Sequence, residues 1–227
     1  MNILLVSATE LEVKPILDAT DKITALSASL YQGAYTNHTL SVLITGIGMT
    51  NTAMRLSAAL AQNHYDIVIQ TGIAGCYTRN HQIGTVLEIV QENYADLGAE
   101  GRKGQFLDLE ILGFPSFTDK DNKLYFNTFQ NPVPSTFDVS KVVSNTVNLC
   151  SGTLNTIRKR LVYFPAEIEN MEGAAFFQTC IFYGQRFYAF RAVSNYVETR
   201  NTAQWNIRLA VQNVCEFILN VLKNPDF

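Results

Sequence analysis

Cysteine is scarce and scattered: Cys76, Cys150, Cys180 and Cys215 are the four in 227 residues, and no pair is spaced as CxxC. That excludes a disulfide framework, and the mostly apolar neighbours let a free thiol pack as a small hydrophobe, so a reducing, cytoplasmic setting is expected. Long apolar runs are missing as well. Those around Ile3 and Ile67 fall far short of the roughly 20 residues that cross a bilayer, and no membrane span is expected. Charge is sparse at 16% and nearly balanced, 17 Lys plus Arg against 20 Asp plus Glu, for a formal net charge of -3. Such a balance lacks the basic surface that a phosphate backbone demands, which argues against nucleic acid as a partner. The opening MNILLVSATE has no basic residue before its apolar run and no small-residue cleavage site, so the run reads as a first strand and not as a leader.

Several catalytic signatures are absent too. His38, His64 and His81 sit beside loop residues with no HExxH and no second ligand at metal spacing, which leaves them as surface histidines and expects no metal. No serine lies in GxSxG and no cysteine in a nucleophile motif, so covalent catalysis is not indicated. The clusters Gly46-Ile47-Gly48 and Gly72-Ile73-Ala74-Gly75 match neither GxGxxG nor GxxxxGK[ST], and a dinucleotide fold or P-loop is unsupported.

What the chain does hold is apolar material, 47% of its residues. Its length is about one and a half usual domains, which suits one sizeable domain over residues 1–227 better than two small ones. Strand-like runs at 3–7, 39–45, 67–71, 85–91, 161–164 and 187–193 alternate with helical periods, the pattern of an α/β sheet flanked by helices. Thr52, Ala53, Leu56, Ala59 and Leu60 predict a buried helix after the second run. Val211, Val214, Cys215, Ile218, Val221 and Leu222 predict a closing amphipathic helix whose apolar face covers the sheet. Residues 99–140 break the pattern with GRKGQ, ILGFPSFTDKDNK and NPVPS, and read as excursion loops serving as a lid or an oligomer contact.

Both glycine clusters follow strands. They are either tight turns or places where backbone approaches a ligand at the carboxyl edge of a sheet. Glu10 and Glu12 come directly after the first strand in SATELEV, where a carboxylate either caps a helix or is held over that edge. In Asn170-Met171-Glu172-Gly173-Ala174-Ala175 an acidic residue sits among small ones before the apolar AAFFQTCIF. It is either a helix-terminal charge or a partly buried carboxylate, which would need donors such as the cis hydroxyls of a ribose. Arg191, Ser194 and Asn195 end a strand built on Phe187, Tyr188, Ala189 and Phe190, and an arginine so placed pairs with a carboxylate.

This ordered set, SATELEV, TGIGMTNT, TGIAG, ENMEGAAFF and FRAVSN, resembles the purine nucleosidase branch of the nucleoside phosphorylase and nucleosidase superfamily along nearly the whole chain, least over 99–140. The tail SNYVETRN followed by Trp205 makes the likeness greatest to the futalosine hydrolase family. The resemblance implies a three-layer α/β/α fold with a central twisted mixed sheet, a homodimer, a small-molecule nucleoside substrate, and no metal or organic cofactor. Carried over by motif, Glu12 activates the hydrolytic water, Met171 and Glu172 hold the ribose, and Arg191 orients Glu172. Ala8, Ile47, Gly72 and Ser194 complete the implied substrate contacts. Asn195 stands where the methylthioadenosine and adenosylhomocysteine nucleosidases carry an aspartate that assists adenine departure. An amide can give N–H to a 6-oxo group and C=O to a protonated N7 at once, so the change points to hypoxanthine.

The implied reaction is hydrolysis of futalosine to hypoxanthine and dehypoxanthine futalosine in menaquinone biosynthesis. The alternatives are a methylthioadenosine/adenosylhomocysteine nucleosidase, against which Asn195 speaks, and a nucleoside phosphorylase, whose phosphate the carboxylates of Glu10 and Glu12 would repel. A non-catalytic nucleoside sensor would have no use for Glu12, Glu172 and Arg191 together.

Overall fold

Alternate residues of the first strand enter opposite apolar clusters, Leu4 and Val6 one, Ile3 and Leu5 the other, as the two-residue period of a strand requires. The computed structural model, which describes residues 1–114, 118–119, 122–123 and 127–224, builds the rest around that strand. In chain order the elements are β1 (Asn2–Ser7), α1 (Lys14–Ala19), β2 (Asp21–Ala25), β3 (Leu30–Tyr35), β4 (His38–Ile44), α2 (Met49–Gln62), β5 (Ile67–Cys76) and β6 (Val86–Tyr94). Two small antiparallel ribbons follow, β7 (Ala99–Glu100) with β8 (Phe106–Leu107) and β9 (Thr118–Asp119) with β10 (Asn122–Lys123). Then come β11 (Thr128–Gln130), β12 (Ser140–Thr146), α3 (Leu154–Tyr163), β13 (Ile168–Asn170), α4 (Gly173–Phe182), β14 (Phe187–Tyr196) and α5 (Ile207–Val221).

The main sheet is mixed. β1 lies between parallel β4 and β5, and β3 and β2 continue antiparallel to one edge. On the other side β5 pairs with both β14 and β13. These reach β6 directly and through β12, so β5, β14, β6, β12 and β13 close into a ring. Leu56 and Ala59 of α2 with Phe176, Phe177 and Cys180 of α4 cover one face; Ile16 of α1 with Val211, Val214, Cys215 and Ile218 of α5 cover the other. The result is the three-layer α/β/α arrangement, with α2 and α5 where their apolar periods put them.

Three expectations are corrected. Residues 161–164 are not a strand: 161–163 end α3, whose buried Ile157 and Arg160 are three apart, and Val162 is 74% exposed. A four-residue apolar run does not by itself separate strand from helix. Gly72 and Gly75 do not follow β5 but lie inside it, with a Cβ on either colliding with a neighbouring side chain. Within 99–140, turns formed around Gly101 and Gly104 agree with loops, yet β11 adds to the edge of β6; residues 115–117, 120–121 and 124–126 lie outside the described residues.

Candidate active site

A cavity of about 310 Å³ opens at the carboxyl ends of parallel β1, β5 and β14, the edge at which open α/β sheets bind ligands. Ala8, Glu12, Ile47, Met171, Glu172, Ser194 and Asn195 all line it. Gly72 and Arg191 do not: they stand behind the wall. Among the described residues no group of three or more His, Cys, Asp or Glu could hold a metal ion.

Glu12 sits in the turn between β1 and α1 and is 7% exposed. Its Oε2 accepts from Thr9 N (3.0 Å) and Thr9 Oγ1 (2.7 Å), and its Oε1 from Ile73 N (3.2 Å). It does not cap α1, which starts after Val13 without a side-chain cap. Glu10 is exposed.

Glu172 occupies the N-cap position of α4, yet its side chain does not cap that helix. Its Oε1 accepts from Gly48 N (3.1 Å), and its Oε2 meets Arg191 Nη2 at 3.4 Å. Gly48 has φ of 95°, a left-handed conformation open to glycine, which turns its N–H toward the carboxylate. Burial raises the Glu172 pKa, opposed by the Arg191 cation and the Gly48 N–H. Arg191, 1% exposed, threads past Gly72 toward Glu172.

The Asn195 amide is held on both sides. Its Nδ2 donates to Tyr196 O (3.1 Å) and its Oδ1 accepts from Ser194 Oγ (2.8 Å). A backbone carbonyl can only accept, so Tyr196 O fixes which end of the amide is nitrogen. One N–H and one lone pair remain for a ligand.

Further wall residues escape motif reading. Glu169 accepts from Ser151 N (2.7 Å), Ser151 Oγ (2.6 Å), Tyr77 Oη (2.5 Å) and Arg160 Nη1 (3.0 Å), a buried network that ties β13 to the cavity floor. Arg200 lies over the Trp205 ring at 5.1 Å at the outer wall. Nothing local marks Ser151 or Glu169, since they meet each other across 18 residues and their further partners are Tyr77, just after β5, and Arg160 of α3.

The sequence matches the model of the Phosphorylase superfamily over residues 2–223. The chain belongs to this superfamily. Within it, the chain is 32% identical to a futalosine hydrolase of Thermus thermophilus over 79% of this chain and 80% of that one. It is also 32% identical to a futalosine hydrolase of Acidothermus cellulolyticus, over 78% and 72%. A 5'-methylthioadenosine/S-adenosylhomocysteine nucleosidase of Glaesserella parasuis is 24% identical over 99% of both chains. Among solved structures, the 5'-methylthioadenosine/S-adenosylhomocysteine nucleosidase of Neisseria meningitidis in complex with methylthio-immucillin-A shares the fold at a TM-score of 0.81, with 18% identity and 98% of each chain covered.

Proposed function

We propose that this single domain, residues 1–227, is a purine nucleosidase that hydrolyses the N-glycosidic bond of futalosine to hypoxanthine and dehypoxanthine futalosine, in menaquinone biosynthesis. The carrying observation is the pair of buried carboxylates, Glu12 and Glu172, facing one cavity whose wall beside β1 is Ala8, Thr9, Leu11 and Glu12. Among the described residues the arginine that lines the cavity, Arg200, lies over Trp205 and not in this wall, and two carboxylates would repel a phosphate.

In this reading Glu12 accepts a proton from water as the water oxygen bonds C1'. The C1'–N9 bond breaks, its electron pair goes to the purine, and solvent protonates N7. A positioned base supplies about 10²- to 10⁴-fold. Glu172 takes the ribose hydroxyls and stabilises the oxocarbenium-like charge, with Met171 packed against the sugar; Arg191, given room by Gly72, holds Glu172 from behind. The free N–H of Asn195 gives to O6, and its free lone pair accepts from N7–H. Ala8, Ile47 and Ser194 complete the wall.

The relatives support the class of reaction, and the Asn195 geometry supports the 6-oxo base. A homodimer would cover the exposed Leu11 and Ile47 of the cavity lining. The four unpaired cysteines fit a cytoplasmic enzyme, and no described helix is long and apolar enough to cross a membrane. The test is a substrate panel: futalosine, inosine and 5'-methylthioadenosine are each incubated with the enzyme and the free base is followed by chromatography. Hypoxanthine from futalosine should appear fastest; faster adenine release from methylthioadenosine would shift the assignment to the second nucleosidase class.

A further inference from the structure

Glu92 is a fully buried carboxylate on β6 that the reaction above does not use. Strand register brings it beside the ends of β12 and β13, where Ser144 pairs with Glu92 and Thr146 with Asn170. Its Oε1 accepts from Asn170 Nδ2 (2.7 Å) and its Oε2 from Thr146 Oγ1 (2.8 Å). With those donors drawn to Glu92, the acceptors of both residues face α4. Asn170 Oδ1 accepts the N–H groups of Glu172 (2.8 Å) and Gly173 (2.6 Å), and Thr146 Oγ1 accepts that of Ala174 (2.8 Å). Helix-starting N–H groups have no partner within the helix, so this relay supplies what a side-chain cap would.

A second observation shows how tightly the parts fit. A Cβ on Gly173 would collide with Oε1 and Cδ of Glu92, so the glycine in the motif makes room for the carboxylate.

We propose that Glu92 is a positioning residue: through Asn170 and Thr146 it fixes the first turn of α4 and thereby sets Glu172 for the ribose. The last step rests on the reading of Glu172 as the sugar partner. Once its proton is released, above pH about 7, the carboxyl at position 92 only accepts and dictates the direction of every hydrogen bond in the relay, so the variants are compared at pH 8. An amide there would turn one donor toward another.

The experiment compares wild type with Glu92→Gln, which keeps the volume, and with Gly173→Ala, which displaces the carboxylate without removing it. Backbone hydrogen exchange by NMR reads the turn, and the ratio of kcat/KM on ribose and 2'-deoxyribose nucleosides reads the sugar site. Both variants should speed exchange at Glu172, Gly173 and Ala174 by about tenfold or more, the scale of one lost buried hydrogen bond, with the later amides of α4 unchanged. The ribose preference should fall by a similar factor. Unchanged exchange at the three amides in both variants overturns the proposal. So does faster exchange with an intact ribose preference, if Glu172→Gln lowers that preference. Faster exchange in a protein whose wild type shows no ribose preference supports the positioning of the turn and overturns the role of Glu172 instead.

Discussion

Gly72 and Arg191 compete for one volume: a Cβ on Gly72 would collide with Nη1 of Arg191 and lie 2.8 Å from Oε1 of Glu12. The absence of a side chain on β5 is therefore what lets a guanidinium reach Glu172 from behind the cavity. Gly72→Ala should push Arg191 off Glu172. Overpacking of this kind costs about 1–3 kcal/mol, visible as a lower urea midpoint, and kcat/KM should fall with it. A variant with wild-type stability and rate would show that the arginine has room to spare.

Glu12→Gln keeps the shape of the side chain and removes the group proposed to accept the proton. Turnover should drop by about 10²-fold or more, with substrate affinity by calorimetry within a few-fold of wild type. A near-normal rate would leave Glu12 as a brace between Thr9 and Ile73.

Asn195→Asp alters base choice. With Nδ2 tied to Tyr196 O, the wild-type amide matches a 6-oxo purine and opposes the N6–H₂ of adenine. A site built for one hydrogen-bonding pattern rejects the mismatched analogue by up to about 10⁴- to 10⁵-fold. The preference for futalosine over its 6-amino analogue, measured as kcat/KM, should narrow or reverse in Asn195→Asp. Equal preference in both proteins would remove Asn195 from the specificity argument.

Burial pushes the Glu92 pKa up to about 7, against hydrogen bonds from Thr146 and Asn170 and the charge of Arg191. A raised carboxyl pKa means that the folded state holds a proton the unfolded chain has released. That contribution to stability is complete below the unfolded value of about 4.5 and is lost as pH rises through 7. Wild type should thus lose up to about 3 kcal/mol between pH 5 and 8 that Glu92→Gln does not lose. Urea melts of both proteins across that range check it; parallel curves would place the Glu92 pKa in the normal carboxylate range.

β1 and β5 were legible in the sequence because Leu4, Val6, Val68 and Ile69 belong to short apolar runs, and α5 because its apolar residues recur at three and four. β12 was hidden by its own chemistry: Ser144, Asn145 and Thr146 are buried but polar, satisfied by Asn170, Asn93 and Glu92 from other strands. Glu12, Glu172 and Arg191 stood out as charges among small or apolar neighbours. Glu92 did not, since its partner Asn170 is 78 residues away and only the register of β6, β12 and β13 brings the two together. The orientation of Asn195 likewise depends on the carbonyl of Tyr196, which no side-chain pattern encodes.

The most direct measurement follows futalosine with the purified enzyme, with and without inorganic phosphate, and identifies both products by chromatography and mass spectrometry. Hydrolysis at the Glu12 site predicts hypoxanthine and the free sugar at a rate that phosphate does not change. A sugar 1-phosphate that forms only when phosphate is present, or futalosine left intact, would contradict it.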